Sequence, residues 1–139
     1  MIKIICVGKT TEFDEKIKYY NDRLNGIFQT KIQTINISEQ NQSVKILSLL
    51  KSNEYIILLD ERGEEINNMK LKDIICNFSH NLVFVIGGPF GVNEEVRKRA
   101  NFIWKLSKLI FTYEMCRLFL MEQIYRSQEI FKNHPYHHG

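Results

Sequence analysis

Short apolar runs alternate along the chain with stretches in which apolar residues recur every three or four positions, and this alternation predicts strands interleaved with helices. Residues 2–7 read as a buried strand ending at Gly8. Residues 12–24 place Phe13, Ile17, Tyr20 and Leu24 at helical spacing, with Asn25-Gly26 as the stop. Residues 32–37 alternate as a strand does, residues 43–50 suit a helix, and Tyr55-Ile56-Ile57-Leu58-Leu59 is a short buried strand running into Asp60-Glu61-Arg62-Gly63. Met69, Ile74, Ile75 and Phe78 mark the next helix. Residues 82–86 are the most β-prone segment and empty into Gly87-Gly88-Pro89-Phe90-Gly91, where backbone freedom is greatest. A helix over 93–100 follows, with Asn93 as N-cap and Glu94 and Glu95 in its first turn, and residues 102–106 form a fifth strand. The pattern predicts an α/β fold with a mostly parallel sheet flanked by helices, its sites in the loops beyond the carboxyl ends of the strands.

The last predicted helix, residues 113–131, is apolar nearly all the way round: Met115, Cys116, Leu118, Phe119, Leu120, Met121, Ile124, Tyr125 and Ile130 leave little of its circumference polar. Such a helix needs cover on more than one side. In a small chain one side packs on the sheet, and a second subunit is the common cover for the other, so a homodimer is expected. Arg117, Glu122 and Arg126 are embedded in this helix, and Glu122 and Arg126 stand four apart, the spacing of an ion pair.

Composition narrows the class. With 139 residues, 44% apolar and 25% charged, 7 Gly and 2 Pro, the chain fits one domain spanning 1–139, and it carries no repeat or linker. Cys6, Cys76 and Cys116 are odd in number and widely spaced, as expected of reduced thiols in a cytoplasmic protein. No signal-peptide pattern and no apolar run of about 20 residues is present, so neither secretion nor membrane insertion is expected. The net charge of +3 is uninformative until it is divided. Residues 1–96 carry 11 Lys/Arg against 13 Asp/Glu, whereas residues 97–139 carry 8 against 3 together with three of the four histidines. The basic end suits a local anionic contact.

Val7-Gly8-Lys9-Thr10 looks like the tail of a phosphate-binding loop, but the first glycine of that motif would fall on Lys3, which excludes it. Gly87-Gly88-Pro89-Phe90-Gly91 lacks the spacing of a dinucleotide fold, and Pro89 removes an amide donor. Its weight comes from company: Leu59-Asp60 and Gly87 each end a strand and so can line one crevice. Near the C-terminus, His134, His137 and His138 have no partnering cysteine pair or acidic cluster, so no metal is expected. Histidine moves protons near neutral pH, and tyrosine stacks on bases and donates hydrogen bonds, which makes the tail a candidate site component.

Taken in order, Leu58-Leu59-Asp60-Glu61-Arg62-Gly63, Phe84-Val85-Ile86-Gly87-Gly88-Pro89-Phe90-Gly91, Leu106-Ser107-Lys108-Leu109, Glu122-Gln123-Ile124-Tyr125-Arg126 and His134-Pro135-Tyr136-His137 resemble the successive signatures of the ribosomal large subunit methyltransferase H family across the whole chain. The resemblance implies a SPOUT-type α/β fold with a C-terminal trefoil knot and a homodimer. It also implies S-adenosylmethionine as methyl donor and methylation of N3 of a pseudouridine in 23S rRNA within the assembled ribosome. By position it puts cofactor contacts on Leu59, Gly87, Leu106, Ser107, Lys108, Leu109, Ile110 and Phe111, and acceptor chemistry on Arg126, Tyr136 and His137. Arg126 would hold a phosphate or the developing imide anion, Tyr136 would stack on or orient the base, and His137 would accept the N3 proton, directly or through water.

Where the family reads Thr-Phe-Pro-His beside the cofactor, this chain has Ile110-Phe111-Thr112-Tyr113, and the tail ends in His138-Gly139 where a basic residue is common. The chain is also shorter than typical relatives, with the deletion expected between Ile37 and Tyr55. The alternatives are a catalytically impaired ribosome-binding protein of the same fold, and an unrelated small-molecule domain of flavodoxin-like shape.

Overall fold

The computed structural model describes residues 1–8, 12–24 and 32–138. Among them, β1 (Ile2–Val7), β2 (Ile32–Ile37), β3 (Tyr55–Glu64), β4 (Leu82–Ile86) and β5 (Phe102–Trp104) form one sheet in the order β2-β1-β4-β3-β5, with every neighbouring pair parallel. Helices α1 (Asp14–Asp22), α2 (Gln42–Leu49), α3 (Asn68–Phe78), α4 (Glu94–Arg99) and α5 (Tyr113–Phe131) supply the crossovers and the C-terminal layer. A flavodoxin-type sheet would run 2-1-3-4-5. Here β3 and β4 are exchanged, which removes that alternative.

Strand periodicity sorts the core into two layers. Ile4, Cys6, Ile57, Phe84 and Ile86 pack with Leu71 and Ile75 of α3 and Leu120 and Ile124 of α5, and α1 adds Ile17 and Tyr20. Ile5, Ile56, Leu58, Val83 and Val85 pack on the other face with Ile46 of α2 and Val96 of α4. Covered on both faces and both edges, β4 is buried throughout, which is why its sequence is continuously apolar.

Two boundaries differ from the sequence expectation. Trp104 pairs with both Leu59 and Glu64, so residues 60–63 bulge out of register before β3 resumes. Gly63 permits that return: a Cβ there would lie 2.4 Å from the Ile103 carbonyl oxygen. The chain of β5 then leaves the sheet after Trp104, short of Leu106, with the Lys105 amide still donating to the Glu64 carbonyl at 2.8 Å. The expected helix stop at Asn25-Gly26 lies outside the described residues.

In α5, Leu120, Met121 and Ile124 face the sheet, and the buried Arg117 donates to Asn36 Oδ1 at 3.1 Å. Met115 is exposed and Leu118 and Phe119 are half-buried, Phe119 against the Phe111 ring at 5.0 Å, so among the described residues this apolar side of the helix is only partly covered. No helix among the described residues is long and apolar enough to cross a membrane.

Candidate functional site

A cavity of about 590 Å³ opens beyond the carboxyl ends of β3, β4 and β5. Three segments wall it: residues 58–62, residues 86–92, and residues 104–107 with 109–113. Each is shaped by local chemistry. The bulge after Leu59 carries Asp60 and Arg62 into the wall, and the Arg62 amide donates to Asp60 Oδ1 at 2.9 Å. The glycine loop is held from beneath by buried Gln42, whose Oε1 accepts from the Gly88 amide at 2.9 Å. A Cβ on Gly87 would stand 3.0 Å from Val92 Cγ1, and Gly91 takes a left-handed φ of 73° to close the turn onto the Gly88 carbonyl. In the third segment the Ser107 hydroxyl accepts from the Leu109 amide at 3.0 Å, and Thr112 caps α5 by accepting from the Met115 amide at 3.3 Å.

Ile86, Val92 and Trp104 give the cavity apolar walls, while Asp60 and Arg97 place opposite charges in it. Cys116 also lines it, and burial pushes its thiol upward, so it is a neutral apolar contact at pH 7. Of the residues expected from sequence to contact a cofactor, Leu59, Gly87, Leu106, Ser107, Leu109, Ile110 and Phe111 all line this one space. Lys108 does not: it is exposed and outside the lining. Arg97, Trp104 and Cys116 escaped the sequence reading. The signal for Arg97 was weak, a first cation of the basic end placed three residues after Glu94.

At the other end of α5, the three expected acceptor residues meet around one carboxylate. Glu122 Oε1 accepts from Arg126 Nε at 3.0 Å, from Arg126 Nη2 at 2.5 Å and from the Tyr136 hydroxyl at 2.9 Å. The Arg126 guanidinium lies 4.8 Å from the Tyr136 ring centre, and its Nη1 is 3.0 Å from His137 Nδ1. A guanidinium only donates, so Nδ1 is the acceptor and a neutral His137 ring carries its proton on Nε2. Burial, with hydrogen bonds to Tyr20 and Glu122, drives the Tyr136 phenol well above its ordinary range. The tail is fastened by His134, whose amide donates to the Glu129 carbonyl at 2.9 Å and whose Nδ1 meets Glu129 Oε2 at 2.8 Å. Tyr125 donates to the same carboxylate at 2.6 Å, and that bond is the main reason its phenol rises to about 12. No cluster of His, Cys, Asp and Glu among the described residues is arranged to hold a metal.

The cavity and the tail cluster share no residue. Tyr113 and Arg126 are about 20 Å apart along the axis of α5 at 1.5 Å per residue.

Comparison with known proteins finds a family model described as "Predicted SPOUT methyltransferase" matching residues 1–137. The chain is 39% identical to the ribosomal RNA large subunit methyltransferase H of Christiangramia forsetii and 38% identical to that of Parabacteroides distasonis, each alignment covering 99% of this chain and 98% of the relative. It is 33% identical to the enzyme of the same name from Acholeplasma laidlawii, over 98% of both chains. With its parallel sheet, its cavity of three strand-end loops and these full-length matches, the chain belongs to the SPOUT methyltransferases and, within them, to the ribosomal RNA large subunit methyltransferase H family.

Proposed function

We propose that this protein is an S-adenosylmethionine-dependent methyltransferase that methylates N3 of a pseudouridine in 23S rRNA of the assembled ribosome. It would act as a homodimer in which the cavity of one subunit faces the tail cluster of the other. The observation that carries this reading is the roughly 20 Å between cavity and tail along one helix. Methyl transfer needs its reacting atoms about 3 Å apart, so a single chain cannot bring its own two halves together without unfolding α5. A second copy can. The partly covered side of α5 around Met115 and the exposed Phe90, Leu109 and Ile110 at the cavity rim are the surface such a copy would bury.

The cavity suits the cofactor. Its volume lies in the usual range for small-ligand sites, its walls are apolar, and its loops offer backbone groups suited to a nearly neutral nucleoside. Bound there, S-adenosylmethionine supplies an electrophilic methyl group on a sulfonium centre. The trefoil knot that the family implies would bring residues 86–92 and 105–113 together as the two walls of this pocket.

The tail serves the acceptor. Deprotonating the imide spreads negative charge over N3 and its flanking oxygens, and Arg126, held by Glu122, is the cation that meets it. With Nδ1 taken by Arg126, His137 presents Nε2–H and donates to an imide oxygen, so the proton leaves to water rather than to His137. Tyr136 stays a phenol at neutral pH and fixes Glu122 and the guanidinium plane. RNA affinity would come from phosphate contacts by residues 97–139 of both subunits and should fall as salt rises.

Mass spectrometry of rRNA from cells with and without the gene tests this directly: one pseudouridine is expected to lose a methyl group, and identical profiles at every pseudouridine would overturn the proposal. Ile110, Thr112 and Tyr113, which depart from the Thr-Phe-Pro-His expected by family resemblance, favour a second reading as a non-catalytic ribosome binder of the same fold. Calorimetric binding of S-adenosylmethionine followed by methyl transfer to ribosomes would exclude that reading.

A further inference from the structure

Among the described residues, Arg97 in the cavity wall holds the one buried side-chain polar atom without a hydrogen-bond partner. Its side chain is only 16% exposed, and that atom is Nε. The two nearest carboxylates stand off: Asp60 Oδ2 is 3.5 Å from Nε, and Glu94 Oε2 is 3.6 Å from Nη1. Charge-assisted hydrogen bonds of a guanidinium close to about 2.7–2.9 Å, so neither contact is a formed bond. Asp60 is equally constrained. Its side chain is 10% exposed, the Arg62 amide fixes Oδ1, and Oδ2 faces the guanidinium without closing on it.

An ion pair serving only to pin α4 to the β3 bulge would be expected to close, because desolvating both charges is repaid only by good geometry. An open pair of opposite charges in a cavity wall instead matches a ligand that carries both charges itself. From this geometry we infer that Arg97 and Asp60 form a subsite for an α-amino acid zwitterion, with the guanidinium fork taking the carboxylate and Asp60 Oδ2 taking the ammonium. The subsite is neutral overall, as is the zwitterion, so binding leaves no uncompensated charge in the cavity. Gly91 belongs to the same device: the nearest atom to a Cβ placed there is Arg97 Nη2, at 3.9 Å, so the glycine leaves the guanidinium room to swing toward a ligand. The inference deepens the cofactor reading above and rests on it, since the methionine part of S-adenosylmethionine carries such a zwitterion.

The test compares two probes by calorimetry: S-adenosylhomocysteine, which has the zwitterion, and 5′-methylthioadenosine, which keeps the nucleoside and thioether but lacks it. The unmodified protein is expected to prefer S-adenosylhomocysteine by about 30-fold, the scale of hydrogen bonds to charged groups. In Arg97→Met this preference should collapse to within about threefold, through loss of S-adenosylhomocysteine affinity while 5′-methylthioadenosine binding holds. Equal loss for both probes would make Arg97 a structural residue, and an unchanged preference would remove it from the subsite; either overturns the inference while leaving the cofactor reading intact. Failure of both probes to bind the unmodified protein would overturn both. Should Arg97→Met not fold, Arg97→Lys serves: it keeps the charge and loses the fork, and the preference should drop severalfold, whereas retention of the full preference overturns the inference.

Discussion

At the N-terminal end of α5 the cavity leaves polar groups unused: Arg97 Nε has no partner, and Asp60 stands 3.5 Å from it. At the C-terminal end the polar groups are crowded onto one another, with three donors on Glu122 Oε1 and the Arg126 guanidinium shared among Glu122, the Tyr136 ring and His137. The first region is shaped to receive a ligand and the second to hold a rigid tool. On the proposed function, neither would react alone. The cavity would hold the methyl donor, and the tail cluster would supply the cation that meets the imide anion.

Breaking the cavity at its backbone should have the largest effect. Gly63→Ala would drive a Cβ into the Ile103 carbonyl, and the edge strand cannot retreat without undoing the bulge that carries Asp60. A loss on the order of 3 kcal/mol, read as a melting midpoint lower by roughly 10 °C, is expected together with loss of S-adenosylhomocysteine binding. Breaking the tail should separate the two functions. Arg126→Ala should lower turnover by roughly 100-fold while cofactor affinity changes less than twofold, the signature of lost acceptor positioning. His137→Ala should likewise reduce turnover more than cofactor affinity. Equal losses in both quantities would contradict the division of labour between the two regions.

Smaller changes sharpen the comparison. Thr112→Ala removes the cap where α5 meets the cavity and should cost about 1 kcal/mol, with a modest weakening of cofactor binding and none of tail order, read by thermal melting and calorimetry. The smallest effect belongs to Glu129. Burial pushes its carboxyl up, but the bonds from Tyr125 and His134 outweigh this and leave it below the usual value. A carboxyl depressed in the folded state contributes stability that is present above its unfolded value and is lost as pH falls through its folded one. The melting difference between the unmodified protein and Glu129→Gln should therefore be present near pH 6 and shrink as pH falls below about 4.3, the ordinary glutamate value. A difference that grew on acidification would contradict the assignment.

Much of this was legible in the sequence because the signals are local. The continuous apolar run of β4, the Asn93 and Thr112 caps and the four-residue spacing of Glu122 and Arg126 each depend on neighbours along the chain. Strand order was not legible, since the exchange of β3 and β4 depends on which edges are covered and not on periodicity. Nor was the bulge at residues 60–63, where the sequence shows only polar residues and the cause is the approach of β5 to Gly63. Within the site, Lys108 lies outside the cavity lining while Ser107 and Leu109 on either side of it line it, a distinction that a motif covering the whole segment does not make. Arg97 was missed for the converse reason. It lies on a short helix on the far face of the sheet, and only the fold brings it to Asp60.

The central claim is that each working site takes its cavity from one subunit and its tail from another, and subunit mixing tests it most directly. Gly87→Val would press on Val92 and Gln42 and deform the glycine loop that walls the cavity, and Arg126→Ala disables the tail; each variant alone should be inactive on ribosomes. Coexpressed in equal amounts, half of the dimers carry one of each chain and hold one intact site of two, so about a quarter of the unmodified activity should return. Methyl transfer that stays at the level of the separate variants, in preparations shown to contain the mixed dimer, would contradict the claim.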